Sequence, residues 1–193
     1  MLKIGLTGNI GSGKSICSRI FSLLDVPVYN ADIEAKKLYS YSKIKDKVIH
    51  LFGKEILTAD EIDKVKLSQI VFNDSVALEA LNNVIHPEVK NDFDNWVNKQ
   101  NADIPYIIQE AAIIFESGFD NYFDKIIVVT APIEIRIERI TKRDKLTERE
   151  IRNRMSKQMT DELKALKADY LINNSGEELV IPQIIEIHTS ILL

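Results

Sequence analysis

Five short apolar runs punctuate this chain, at residues 2–7, 27–30, 104–109, 125–130 and 168–173. The run at 125–130, Lys-Ile-Ile-Val-Val-Thr, is continuous, without the alternation of a half-exposed strand. Such runs predict strands covered on both faces. Between them the apolar positions recur at helical spacing. The pattern predicts helices over 14–24, from Asp32 through Leu38 and Tyr39, and over 177–192, with mostly helical chain from 44 to 100. Asp60 and Asn73 are candidate caps in that long stretch, and Pro87 predicts a break or a helix start. Pro132 is expected at the favoured first position of a charged helix.

Strands separated by helices imply parallel pairing with right-handed crossovers. The fold class expected is therefore α/β: a five-stranded parallel sheet flanked by helices. The chain between the second and third strands is too long for a simple crossover, so a helical insertion is expected there. The whole reads as one domain, with a core of about 1–33, 103–135 and 168–193. The insertion covers about 34–102, and a further helical segment covers about 136–160. No internal repeat or low-complexity segment is present.

Charge narrows the partners. The formal net charge is −4, with 45% hydrophobic and 28% charged residues. That balance supports a real core and argues against general binding to nucleic acid or anionic membrane. The single cysteine, Cys17, permits no internal disulfide and fits a reducing compartment. Its neighbours read as helix, so a small buried side chain is expected. No run approaches the roughly 18 apolar residues of a membrane span, and glycines interrupt the N-terminal run at once. A soluble cytoplasmic protein is expected, monomeric or a small homo-oligomer.

The chemistry lies in Gly8-Asn9-Ile10-Gly11-Ser12-Gly13-Lys14-Ser15, which fits the P-loop pattern between an apolar strand and a helix. The glycines let backbone N–H groups curl toward phosphate oxygens, and the helix adds its positive end. Lys14 can reach the β- and γ-phosphates, and the Ser15 hydroxyl can ligate Mg²⁺. Residues 8–16, including Ile16, are thus the expected ATP site, with Lys14 also a candidate catalytic residue.

Other candidates stand around this loop. Asp32 follows the second strand, where a carboxylate either orients an attacking hydroxyl or caps the next helix. Glu110 closes the third apolar strand and is placed either on Mg²⁺, directly or through water, or in an exposed loop. Glu116 is read in the same two ways. Arg136, Arg139 and Arg143 share a helix face at i, i+3 and i+7, suited to a triphosphate or to solvent. His86 precedes Pro87, and a lone histidine is more often structural than catalytic. Thr141-Lys142-Arg143-Asp144 superficially matches a guanine-reading motif. It falls inside a helical pattern, however, and no D-x-x-G occurs in the chain, which argues against a GTP switch.

Taken together, these residues resemble the dephospho-coenzyme A kinase family nearly end to end. The resemblance rests on residues 4–15, Ala31-Asp32, Leu51-Phe52-Gly53, Ile56-Leu57, Leu81-Asn82, His86-Pro87 and residues 110–116. It continues through Arg139, Arg143-Asp144, Arg154 with Gln158, and Ala168-Asp169 with Asn173 and Gly176. It implies Asp32 as catalytic base, with Lys14, Arg139 and Arg143 stabilising charge on the moving phosphoryl group. It also implies acceptor contacts from His86, Glu110 and Glu116, and a nucleotide contact from Asn173. The acceptor would be dephospho-coenzyme A, and ATP with Mg²⁺ the donor. A helix around 139–158 would close as a lid. The chain departs from the family pattern at Asn9, Ile16, Lys64, Glu110 and Ala112. Nucleoside monophosphate and shikimate kinases share the loop and lid, but not the His86-Pro87 and Ala168-Asp169 context.

Overall fold

The computed structural model describes the backbone of residues 1–193 and every side chain except those of Phe72 and Asn73. The chain divides into two compact units, Met1–Asn30 with Gln100–Leu193, and Ala31–Lys99.

The first unit is an α/β sandwich. Strands β1 (Leu2–Thr7), β2 (Val28–Asn30), β5 (Tyr106–Glu110), β6 (Lys125–Thr130) and β7 (Tyr170–Asn173) form one sheet in the order β2-β5-β1-β6-β7. All four pairings are parallel. Residues Ile4 to Thr7 of β1, all of β5 and residues 126–129 of β6 are buried, which is why the β6 run is continuously apolar. Helices α1 (Lys14–Leu23), α6 (Ile133–Asp144), α7 (Glu148–Met155), α8 (Asp161–Ala165) and α9 (Val180–Leu192) complete the unit. Phe21 and Cys17 of α1 and Ile184 and Ile187 of α9 join Ile4, Leu6, Ile108, Ile127, Val129 and Ile172 in one core.

Two strands start later than the apolar pattern predicts. Ahead of β5, Pro105 can only accept, taking a bond from Leu2 N (2.8 Å). Ahead of β7, Asp169 uses its side chain where a ladder bond would be, accepting from Ile126 N (2.8 Å) and pairing with Lys125 (2.9 Å). The closing helix begins at Val180 because Gly176 turns the chain at φ 94. Pro132 is the cap of α6 rather than its first residue: its backbone is extended, and its carbonyl takes the first helical bond from Arg136 N (3.0 Å).

The register decides what the sheet presents. Leu6, Glu110 and Asn30 stand side by side at the carboxyl ends of their strands, and Thr130 stands beside Asn173. From β1 the chain crosses first to one side and later to the other. The edge beyond β1 is therefore a switch point, where ligands bind in open α/β sheets.

The second unit is largely helical. It holds α2 (Ala31–Leu38), α3 (Ser42–Phe52), α4 (Lys64–Asn73) and α5 (Ser75–Val97). A two-stranded hairpin, β3 (Leu57–Thr58) with β4 (Glu61–Ile62), lies between α3 and α4. Leu38, Ile44, Val48, Ile56, Ile62, Leu67, Leu81 and Ile85 form its core. Three expectations need correcting here. Asp60 does not cap a helix: with Ala59 it makes the hairpin turn at positive φ, and its carboxylate pairs with Lys45 (3.0 Å). The caps are Asp63, accepting from Val65 N and Lys66 N, and Asp74, accepting from Val76 N and Ala77 N. Asn73 ends α4, and its side chain lies outside the described residues. Pro87 neither breaks nor starts a helix, since it lies inside α5. Buried Leu81 and Ile85 before it, and Phe93 and Val97 after it, hold α5 together against a local cost of about 3 kcal/mol.

Candidate active site

Residues 8–13 join β1 to α1 as a tight loop. Gly8 has φ 153, and a Cβ there would stand 2.3 Å from the Val129 carbonyl oxygen. Gly13 has φ 100, and its Cβ would lie 2.1 Å from Asn174 Nδ2. No other residue fits either place. Gly13 is also the residue preceding α1, so the loop ends at a helix N-terminus with its dipole aimed outward. Lys14 Nζ donates to the Gly8 carbonyl (2.8 Å), which holds the ammonium over the loop.

Glu110 ends β5 and is almost fully buried. Three donors meet its carboxylate: Ser15 Oγ (3.0 Å), Ser18 Oγ (2.7 Å) and Asn30 Nδ2 (2.9 Å). Ser18 and Asn30 carried no signal in the sequence, because only the pairing of β2 with β5 brings Asn30 there. Ser15 Oγ beside Glu110 offers two hard oxygen donors of the kind Mg²⁺ takes, and the remaining ligands would be phosphate oxygens and water. Among the described residues no cluster of three or more His, Cys, Asp or Glu side chains could hold a metal alone. Cys17 is fully buried in the core beneath α1, where burial first and Glu110 second push its thiol up to about 12.

A cleft of about 390 Å³ opens beside the loop, lined by Gly11, Gly13, Lys14, Ser15, Ile16, Arg139, Ile140 and Arg143. Arg139 leans across the loop, with Nη1 at 3.4 Å from the Gly11 and Ser12 carbonyls and Nη2 donating to the Asn174 carbonyl (3.0 Å). Arg143 lies at the cleft with its guanidinium held by the next residue, Asp144, at 2.8 Å on two nitrogens. Arg136 does not join them. It is turned inward, only 7% exposed, and faces Asp161 at 3.6 Å. The i, i+3, i+7 arithmetic ignores that Arg136 lies on the side of α6 that packs toward Asp161, at the start of α8. The expected lid helix around 139–158 is not one long helix. Lys145 is left-handed and ends α6, and Thr147 with Glu150 forms a capping box that starts α7.

The remaining candidates are distributed as follows. Asn173 ends β7, its side chain accepting from Ser175 N (3.0 Å) and its backbone held by Gln183. The neighbouring Asn174, which the sequence did not single out, touches the loop by donating from Nδ2 to the Ser12 carbonyl (2.7 Å). Two adjacent asparagines cannot be told apart without the strand's phase. Glu116 accepts from Met159 N (2.9 Å) and pairs with fully buried Lys164 (2.9 Å). In the helical unit, Asp32 is exposed in the first turn of α2, two residues past Asn30. His86 lies half-buried in α5, where burial lowers its pKa.

The loop, the buried acid and the arginine are what a phosphoryl-transfer site requires, and the wider comparisons agree. The sequence profile of the dephospho-CoA kinase family matches residues 2–179. A dephospho-CoA kinase of Bacteroides fragilis (strain YCH46) is 40% identical over 187 residues, covering 96% of this chain and 91% of that protein. Among solved structures, TT1252 from Thermus thermophilus superposes with a TM-score of 0.86 at 29% identity, covering 99% of this chain and 96% of that one. The dephospho-CoA kinase from Campylobacter jejuni gives a TM-score of 0.70 at 28% identity over 98% and 96% of the two chains. The chain belongs to the dephospho-CoA kinase family.

Proposed function

We infer that the chain transfers the γ-phosphoryl group of ATP to the ribose 3′-hydroxyl of dephospho-coenzyme A, giving coenzyme A and ADP. The observation that carries this is the P-loop with Glu110 against Ser15, within a chain matched nearly end to end by its family.

The reaction forms a bond from the acceptor oxygen to the γ-phosphorus and breaks the bond from that phosphorus to the oxygen bridging to ADP. We assign Asp32 to orienting the hydroxyl and accepting its proton. Residues 8–16 cradle the phosphates with backbone amides. Lys14, released from the Gly8 carbonyl, and Arg139 with Arg143 neutralise charge on the moving group. Ser15 and Glu110 would hold Mg²⁺, which when bound would supply further charge neutralisation. We assign the acceptor to the helical unit, with His86 among its contacts, and read Glu116 as acting on the acceptor side through the segment it anchors. Asn173 is read as reaching the nucleotide side through the turn it stabilises. We read 136–160 as the lid that excludes water. We assign the reaction to the cytoplasm, the reducing compartment that a single cysteine fits. No helix among the described residues is long and apolar enough to cross a membrane.

The test is ADP release from Mg-ATP with dephospho-coenzyme A, beside a no-acceptor control, nucleoside monophosphates and shikimate. Turnover dependent on dephospho-coenzyme A, with coenzyme A as product, is expected. Faster turnover of another acceptor would sink the assignment.

A further inference from the structure

The P-loop is held from two sides by different elements. Its second half is tied to the end of β7 and to α6, through Asn174 and Arg139. Its first half is tied to the short segment between α7 and α8. Asn9, only 4% exposed, donates from Nδ2 to the Met159 carbonyl (3.0 Å) and to Asp161 Oδ1 (2.6 Å). The backbone amide of Ile10 donates to Gln158 Oε1 (2.9 Å).

That segment is itself anchored. Met159 N donates to Glu116, Glu116 pairs with buried Lys164, and Lys164 Nζ donates to the Ala112 carbonyl (3.2 Å). Arg136 faces Asp161 from α6. The first half of the loop therefore rests on fixed points more than a hundred residues away in sequence. Its first residue, Gly8, carries the carbonyl that holds the Lys14 ammonium.

We propose that Asn9 and Gln158 are positioning residues for phosphoryl transfer, bracing residues 8–10 so that the loop amides and Lys14 meet the phosphates in one geometry. Their side chains act through the loop backbone rather than on the substrate. The proposal rests on the phosphoryl-transfer reading above, and not on the identity of the acceptor. A brace of this kind shows in turnover more than in affinity, because a misplacement of about 1 Å costs up to about 100-fold in rate.

The variants are Asn9→Ala, Gln158→Met and Gln158→Glu. The glutamate keeps an oxygen acceptor for Ile10 N, and the methionine keeps only the shape. Turnover is measured with dephospho-coenzyme A and, separately, with water as acceptor. Hydrogen exchange at Ile10 and Met159 reports the brace directly. We expect Asn9→Ala and Gln158→Met to lower kcat about 10-fold with the KM for ATP changed less than about 3-fold. We expect the Ile10 amide to lose protection in Gln158→Met. Gln158→Glu should restore both readouts in large part. The Asn9→Ala/Gln158→Met double variant should be no slower than the slower single, as for residues acting as a unit. Loss of Ile10 protection with wild-type kcat would overturn the proposal. So would additive losses in the double variant, or a Gln158→Glu enzyme as slow as Gln158→Met. A wrong acceptor shows instead as silence of the wild type in the first assay alone, while the ratio of variant to wild type with water still reads the brace.

Discussion

Individual side chains at this site work by being placed against backbone. Lys14 rests on the Gly8 carbonyl, Arg139 on Gly11 and Ser12, and Asn174 on Ser12. Removing the ammonium leaves the loop folded and its charge unbalanced. Lys14→Ala should therefore lose about 100-fold or more in kcat, read by ADP release, with its melting temperature unchanged. Asp32 bears a different test, because its assigned proton transfer contributes about 10²–10⁴-fold. Asp32→Asn should lose turnover in that range while titrating ATP with wild-type affinity in calorimetry; near-normal turnover would remove the proposed base. The loop was legible in sequence because the spacing of its glycines, lysine and serine alone defines it. Asn174, Ser18 and Asn30 were not, because each gains its partner only when strands or helices come together.

At the scale of elements, strands follow burial and helix ends follow caps. The five parallel strands were legible because strands covered on both faces are mostly apolar, with polar residues kept to their ends. The β3–β4 hairpin was not: its turn, Ala59-Asp60, takes positive φ at both residues without the usual Asn-Gly signal. The connection from α7 to α8 depends on Lys164, which is fully buried against Glu116. Lys164→Ala leaves that carboxylate unpaired beside Met159, and should cost about 3 kcal/mol in chemical denaturation. In α5, burial holds the His86 pKa below its ordinary 6.5. The native state then binds this proton more weakly than the unfolded chain. The stability His86 contributes is intact above the ordinary pKa and is lost as pH falls below it. Denaturation midpoints of wild type should drop between pH 7.5 and 5.5, about, by more than those of His86→Gln, in the window set by an ordinary histidine.

For the molecule as a whole, the sheet order matters more than the strand list. With β1 central and the chain crossing to both sides of it, the loop, Glu110 and Asn174 arrive at one edge from the ends of three different strands, β1, β5 and β7. A ligand bound there tests that arrangement by mass action. Mg-ATP at about 100 times its Kd should stabilise the fold by about 2.7 kcal/mol, read as a rise in melting temperature, and the Lys14→Ala chain should show a smaller rise.

Sequence alone determined the fold class, the position of the phosphate loop and the family, because these depend on local signals: burial on both strand faces, glycines at fixed spacing, and long-range similarity of residue order. Only the tertiary structure decided which of three arginines faces the loop, which of two asparagines touches it, and that Pro87 sits inside a helix. It also decided that the first half of the loop rests on Gln158, Met159 and Asp161. Each of these is settled by packing between segments far apart in the chain, where one turn of a helix or one step along a strand reverses the side a residue presents.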